Sequence, residues 1–140
     1  MAAKANAEWK GDLKQGSGTF TAGDGISGAV TFKSRFEDGA GANPEQLIAA
    51  AHASCFSMAL SAALAEAGTP VESVKTDAAV TLQMVDGTPT ITKIALTTVG
   101  NVPGIDEAAF IEAANNAKAG CPVSRALASV SEITLEASLA

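Results

Sequence analysis

The stretch Asn43–Gly68, NPEQLIAAAHASCFSMALSAALAEAG, decides how the rest of the chain is read. Asn43 is a strong N-cap, and Pro44 suits the first helical position. Glu45 lies in the first turn, where the positive end of the helix dipole favours a carboxylate. Leu47, Ile48, Ala51, Cys55, Met58, Ala59 and Ala62 recur at helical spacing, and Gly68-Thr69-Pro70 stops the run. A helix of about 24 residues is predicted, roughly 36 Å long. It carries few charges before Glu66, so burial on most sides is expected. His52, Ser54, Ser57 and Ser61 interrupt it, so no apolar run of transmembrane length and no membrane association are expected. The helix also raises a chemical question, because Cys55 stands in its middle with His52 one turn before it.

Working outward, the segment before the helix is rich in glycine and turns. Ala5–Lys10, a stretch around Gly18–Thr21, and Gly25–Phe36 read as short strands of a three-stranded meander. After the helix, Val74–Met84 and Ile91–Val99 alternate as strands around Asp86-Gly87, a hairpin turn signal. Asp106–Lys118 is an amphipathic helix, Gly120-Cys121-Pro122 opens a short one through Leu127, and Ile133–Leu139 closes the chain as a strand. The predicted order is βββ-α-ββ-αα-β, an α+β fold in one domain spanning residues 1–140.

Composition narrows the function. Hydrophobic residues make up 47% of the chain and charged residues 17%, which suits a packed globule rather than a disordered segment. Net charge is −6, and no basic stripe is present for a nucleic acid backbone or an anionic membrane. The N-terminal residues lack the pattern of a signal peptide, and a cytoplasmic location is expected. Cys55 and Cys121 are 66 positions apart, and a permanent disulfide between them is not expected in a reducing compartment. Two cysteines and one histidine fall short of a structural zinc site, so neither metal nor cofactor is expected.

The chemistry-bearing residues each admit a plain reading. Cys121 in Gly-Cys-Pro caps a short helix, where free N–H groups favour a thiolate; it also serves as a small capping residue. Cys55, mid-helix among alanines, reads alone as a buried inert thiol with a raised pKa. A cation beside it would change that. His52, three residues earlier, makes a Cys–His dyad conceivable, although a helix histidine is more often simply packed. Arg35, in Lys33-Ser34-Arg35-Phe36, is the other candidate. A cysteine hydrolase using Cys55 and His52 and a non-catalytic dimeric binder of apolar ligands are the rival readings.

A longer pattern joins these residues. Glu8-Trp9-Lys10-Gly11-Asp12, Arg35-Phe36-Glu37, Asn43-Pro44-Glu45-Gln46-Leu47-Ile48, Cys55-Phe56-Ser57-Met58-Ala59-Leu60 and Lys118-Ala119-Gly120-Cys121-Pro122-Val123-Ser124 follow one another in order. The chain resembles the osmotically inducible protein C (OsmC) family, of the OsmC/Ohr superfamily of thiol peroxidases. Cys-Pro-Val-Ser, with no aromatic after the proline, looks more like the OsmC branch than the Ohr branch. The resemblance implies an intertwined homodimer, with long central helices packed together, antiparallel sheets wrapped outside and active sites at the dimer interface. It implies reduction of organic hydroperoxides by Cys55 as peroxidatic thiol and Cys121 as resolving thiol, through a sulfenic acid and a Cys55–Cys121 disulfide. Arg35 and Glu45 are the implied charged pair of the site. The implied reductant is a dithiol, such as a dihydrolipoyl protein. Phe36, Leu47, Ile48, Phe56, Met58 and Phe110 are candidate pocket walls, each readable as plain core.

One consequence is geometric. Glu45 precedes Cys55 by ten residues. On one straight helix that is ~15 Å of rise, too far for a shared site. If Glu45 serves Cys55, it comes from another chain or across a break in the helix, and supply in trans about a two-fold axis is expected.

Overall fold

Tight glycine turns shape the N-terminal third. In the computed structural model, which describes residues 1–140, strands β1 (Ala5–Lys10), β2 (Ser17–Ala22) and β3 (Ile26–Thr31) form an antiparallel meander. Gly23 and Gly25 both take positive φ between β2 and β3. The pairing runs from Ala5 opposite Ala22 to Lys10 opposite Ser17, then from Ser17 opposite Thr31 to Ala22 opposite Ile26.

The third strand is shorter than the sequence suggests. It stops at Thr31 because Thr31 caps a five-residue helix, α1 (Phe32–Phe36). The Ser34 N–H donates to Thr31 Oγ1 at 3.0 Å, and the Thr31 N–H donates to Ser34 Oγ at 2.9 Å. The phenylalanines and arginine read as strand-end residues therefore lie on a helix. The element order becomes βββ-αα-ββ-αα-β.

The long helix, α2 (Pro44–Glu66), starts where the cap signal places it. The Gln46 N–H donates to Asn43 Oδ1 at 2.8 Å, and the Asn43 N–H donates to Gln46 Oε1 at 3.2 Å. Two expectations about α2 need correcting. Its mean hydropathy reaches 1.7 over an 18-residue window, so by length and composition it could cross a membrane. The four polar interruptions lower the average too little to prevent this, and His52 and Ser57 find polar partners within the fold. Burial is also one-sided. His52, Phe56, Leu60 and Leu64 form the buried stripe, whereas Leu47, Ala51, Met58 and Ala62 are exposed. A helix apolar all round does not announce which face turns inward.

The chain divides into two compact units, Met1–Leu47 and Ile48–Ala140. The buried hydrophobic cluster belongs to the second. There β4 (Ser73–Val85) and β5 (Thr88–Asn101) pair antiparallel around Asp86 and Gly87, both with positive φ, the backbone of a two-residue hairpin. Helices α3 (Glu107–Gly120) and α4 (Pro122–Ala126) follow, then β6 (Glu132–Leu139). The sheet order is β4-β5-β6, and β6 pairs parallel to β5, from Lys93 opposite Glu132 to Gly100 opposite Leu139. This corrects the expectation of wholly antiparallel sheets. The α3–α4 crossover returns the chain to the start of β5, so β6 must run in the same direction. Phe56, Leu60 and Leu64 of α2 pack with Ile94 and Leu96 of β5 and Phe110, Ala114 and Ala117 of α3, and Cys121 closes this core.

Candidate active site

Arg35 and Glu45 meet because local hydrogen bonds fold α1 onto the start of α2. Ser34 Oγ donates to the Ala42 carbonyl at 2.8 Å, and Asn43 Nδ2 donates to the Ser34 carbonyl at 3.0 Å. Arg35, next to Ser34, then reaches Glu45. Its Nη2 donates to Oε1 at 2.8 Å, and its Nε lies 3.2 and 3.3 Å from the two carboxylate oxygens. Glu45 is buried, while the guanidinium is partly exposed and stands 5.3 Å from the Phe36 ring centre. A forked pair with one buried partner fixes the direction of the guanidinium far better than a loose surface contact. Beside it lies a mainly apolar cavity of about 170 Å³, lined by Trp9, Leu13, Phe32, Arg35, Phe36 and Pro44.

Cys55 and Cys121 meet in the other unit. Both are free thiols, and each shifts the pKa of the other despite their separation in sequence. Their environments differ. Cys55 is partly exposed, whereas Cys121 is fully buried. Desolvation, and then the hydrogen bond to Cys121, push the Cys55 thiol above its ordinary pKa; the Val123 backbone opposes this more weakly. For Cys121, burial pushes the same way. Hydrogen bonds from the Ser124 backbone, from Cys55, from the Ser124 hydroxyl and from the Val123 backbone together outweigh it and hold Cys121 below the ordinary thiol range.

His52 does not form a dyad with Cys55. It is fully buried, and its Nε2 lies 2.7 Å from Ser124 Oγ. Desolvation lowers its pKa, so it is neutral at pH 7. Ser124 is the participant that sequence reasoning passed over: it appears in the motif, but no spacing rule connects it to a histidine 72 positions away. The proposed pocket walls separate. Phe56 and Phe110 are core, Leu47 and Met58 are exposed, Ile48 packs partly buried against the core, and Phe36 lines the cavity beside Arg35.

Known proteins share this arrangement of chain. The family described as OsmC-like protein matches residues 37–136. The chain belongs to the OsmC family. The peroxiredoxin OsmC of Escherichia coli strain K12 is 50% identical over 135 residues, covering 95% of this chain and 93% of the relative. At that likeness the chain is a thiol-dependent peroxidase. Among solved structures, the organic hydroperoxide resistance protein OhrB of Bacillus subtilis has a TM-score of 0.75 at 26% identity, covering 100% of this chain and 98% of that one. An organic hydroperoxide resistance protein OsmC from Legionella pneumophila has a TM-score of 0.76 at 22% identity, covering 96% of both chains, and supports the OsmC fold alone.

Proposed function

We propose that this OsmC-family peroxidase reduces organic hydroperoxides to alcohols, with Cys55 as the peroxidatic thiol and Cys121 as the resolving thiol. The thiol pair carries the reading. The partial exposure of Cys55, open to a peroxide, and the full burial of Cys121 support this division of roles. The Cys55 thiolate attacks the terminal oxygen of the hydroperoxide. The O–O bond breaks, the alkoxide leaves and takes up a proton, and Cys55 becomes a sulfenic acid. Cys121 then attacks the Cys55 sulfur, and a disulfide forms as hydroxide leaves and is protonated to water. An external dithiol, of the dihydrolipoyl kind, returns both thiols. The names of the Bacillus and Legionella proteins support the substrate class.

The working unit is a homodimer. On its own chain Cys55 has a raised pKa, so it needs a cation to react as a thiolate. Arg35, aimed by Glu45, is that cation, supplied from the partner because Glu45 and Cys55 lie ~15 Å apart along α2. The exposed apolar face of α2, with Met58 73% exposed, supports a helix-to-helix interface. So does the N-terminal meander, which leaves Trp9, Leu13 and Ile26 exposed. Both units then work as one domain in the assembled enzyme, which we place in the cytoplasm, where the free thiols are kept reduced. The hydrolase alternative is disfavoured because His52 Nε2 is engaged with Ser124.

The test is to mix reduced protein with cumene hydroperoxide and count free thiols against time. Loss of two thiols per chain in the wild type, and a trapped sulfenic acid in Cys121→Ser, is expected. No thiol loss under excess peroxide would leave the cysteines as packing and turn attention to ligand binding.

A further inference from the structure

His52 is a buried titratable group that the peroxidase steps above do not use. It occupies the inward stripe of α2 with Phe56, Leu60 and Leu64, where an apolar side chain would fill the space without burying a polar atom. Its Nδ1 is buried with no partner, and its Nε2 lies 2.7 Å from Ser124 Oγ. Ser124, itself buried, stands three residues after Cys121, the N-cap of α4, and is among the groups that lower the pKa of Cys121. His52 therefore holds the hydroxyl of a residue one turn from Cys121, the sulfur assigned above to resolution.

The hydrogens can be assigned from cost. A buried N–H without an acceptor is rarer and more costly than an unused lone pair, so the ring hydrogen belongs on Nε2. Nε2–H then donates to Ser124 Oγ, which leaves the serine hydrogen to point at Cys121. Hydrogen bonds linked in this way polarise one another, most strongly when they end on an anion in a buried setting.

We propose that His52 and Ser124 are positioning residues for disulfide formation: His52 locks the Ser124 hydroxyl rotor so that it donates to Cys121 as that sulfur attacks Cys55. The proposal rests on the reading of Cys121 as the resolving thiol. In the step it serves, the Cys121 sulfur displaces hydroxide from the sulfenic Cys55. The S–S bond forms as the S–O bond breaks, Cys121 is oxidised as the Cys55 sulfur is reduced, and the hydroxide leaves as water after taking a proton from solvent. Of the titratable groups around Cys121, Cys55 faces it from α2 and His52 acts through Ser124. Lys118 of α3 donates to the Ile133 carbonyl at 2.9 Å, and Arg125 of α4 is exposed.

The experiment follows single turnover of the full-length protein with one equivalent of cumene hydroperoxide from about pH 5 to pH 9, the range of thiol ionisation. Dimedone adducts and disulfide are quantified by mass spectrometry. Ser124→Ala and His52→Leu are expected to form the sulfenic acid at the wild-type rate. Their disulfide formation is expected to slow about tenfold, the scale of one hydrogen bond to a charged group, with its pH midpoint moved up. His52→Gln, whose amide N–H can replace Nε2–H, is expected to recover most of the rate. Wild-type resolution rates and an unchanged midpoint in Ser124→Ala and His52→Leu would overturn the proposal. Ser124→Ala removes a single oxygen and decides the matter alone if His52→Leu does not fold. Thiolate absorbance of Cys121 in a Cys55→Ala background, with and without Ser124→Ala, reads the same hydrogen bond with no peroxide present. If the wild type itself loses no thiols, the peroxidase reading falls and takes this proposal with it; if the wild type loses two thiols and the Cys121 midpoint is unchanged by Ser124→Ala, this proposal alone is overturned.

Discussion

Cys55 and Cys121 are the same functional group in two settings, and the settings move their pKa values in opposite directions. Burial without sufficient donors raises the pKa of Cys55, while donors from the start of α4 lower that of Cys121. Under the proposed mechanism, Cys55→Ser is expected to abolish peroxide-dependent thiol loss, whereas Cys121→Ser stops after one sulfenic acid, scored as a dimedone adduct by mass spectrometry. Glu45→Gln removes the anion that aims Arg35. A fall of about 10²-fold in kcat/KM for cumene hydroperoxide is expected, the size associated with losing one preorganised donor. His52 supplies a pH signature. Its folded pKa is depressed, so the unfolded chain binds the extra proton first. Its contribution to stability is present above about pH 6.5, the ordinary histidine value, and is lost as pH falls through the depressed value. The Tm of the wild type should drop over that interval, and the drop should be smaller in His52→Gln.

At the scale of elements, caps and close approaches matter more than propensity. Asn43 caps α2 and also ties the Ser34 carbonyl, so it fixes both the helix start and the position of Arg35. Asn43→Ala is expected to cost about 1 kcal/mol by urea denaturation and to lower activity further than that loss explains. On β5, Gly100 lies against the Phe110 ring of α3. A Cβ placed there would fall 2.5 Å from the ring. Phe110 is fully buried and cannot yield freely. Gly100→Ala should destabilise the fold by about 1–3 kcal/mol through overpacking, seen as a lower urea midpoint.

For the whole molecule, the question is what covers the apolar face of α2. A helix carrying Leu47, Ala51, Met58 and Ala62 outward is a costly surface for a lone chain. Met58→Glu, at a position already exposed within one chain, should leave the core of each subunit intact while splitting the proposed dimer. Sedimentation should then report a monomer, and peroxide reduction should fall with it if the partner supplies Arg35.

What the sequence determined by itself is local and chemical. Asn43-Pro44-Glu45 announced the helix start, Asp86-Gly87 announced the hairpin, and Gly-Cys-Pro announced a capping cysteine, because each depends on backbone preferences within a few residues. The ordered motifs that contain Arg35, Glu45, Cys55 and Cys121 carry the resemblance to the OsmC family in the sequence alone. Tertiary structure decided the rest. Thr31 could continue a strand or cap a helix, and only the Ser34 and Ala42 contacts favour the cap. The apolar periodicity of α2 fits several faces, and only packing against β5 and α3 selected the one through Phe56 and Leu60. The direction of β6 followed from the α3–α4 crossover rather than from its own residues. Ser124 became a partner of His52 through the same long-range folding, because a hydrogen bond across 72 positions has no local pattern to betray it.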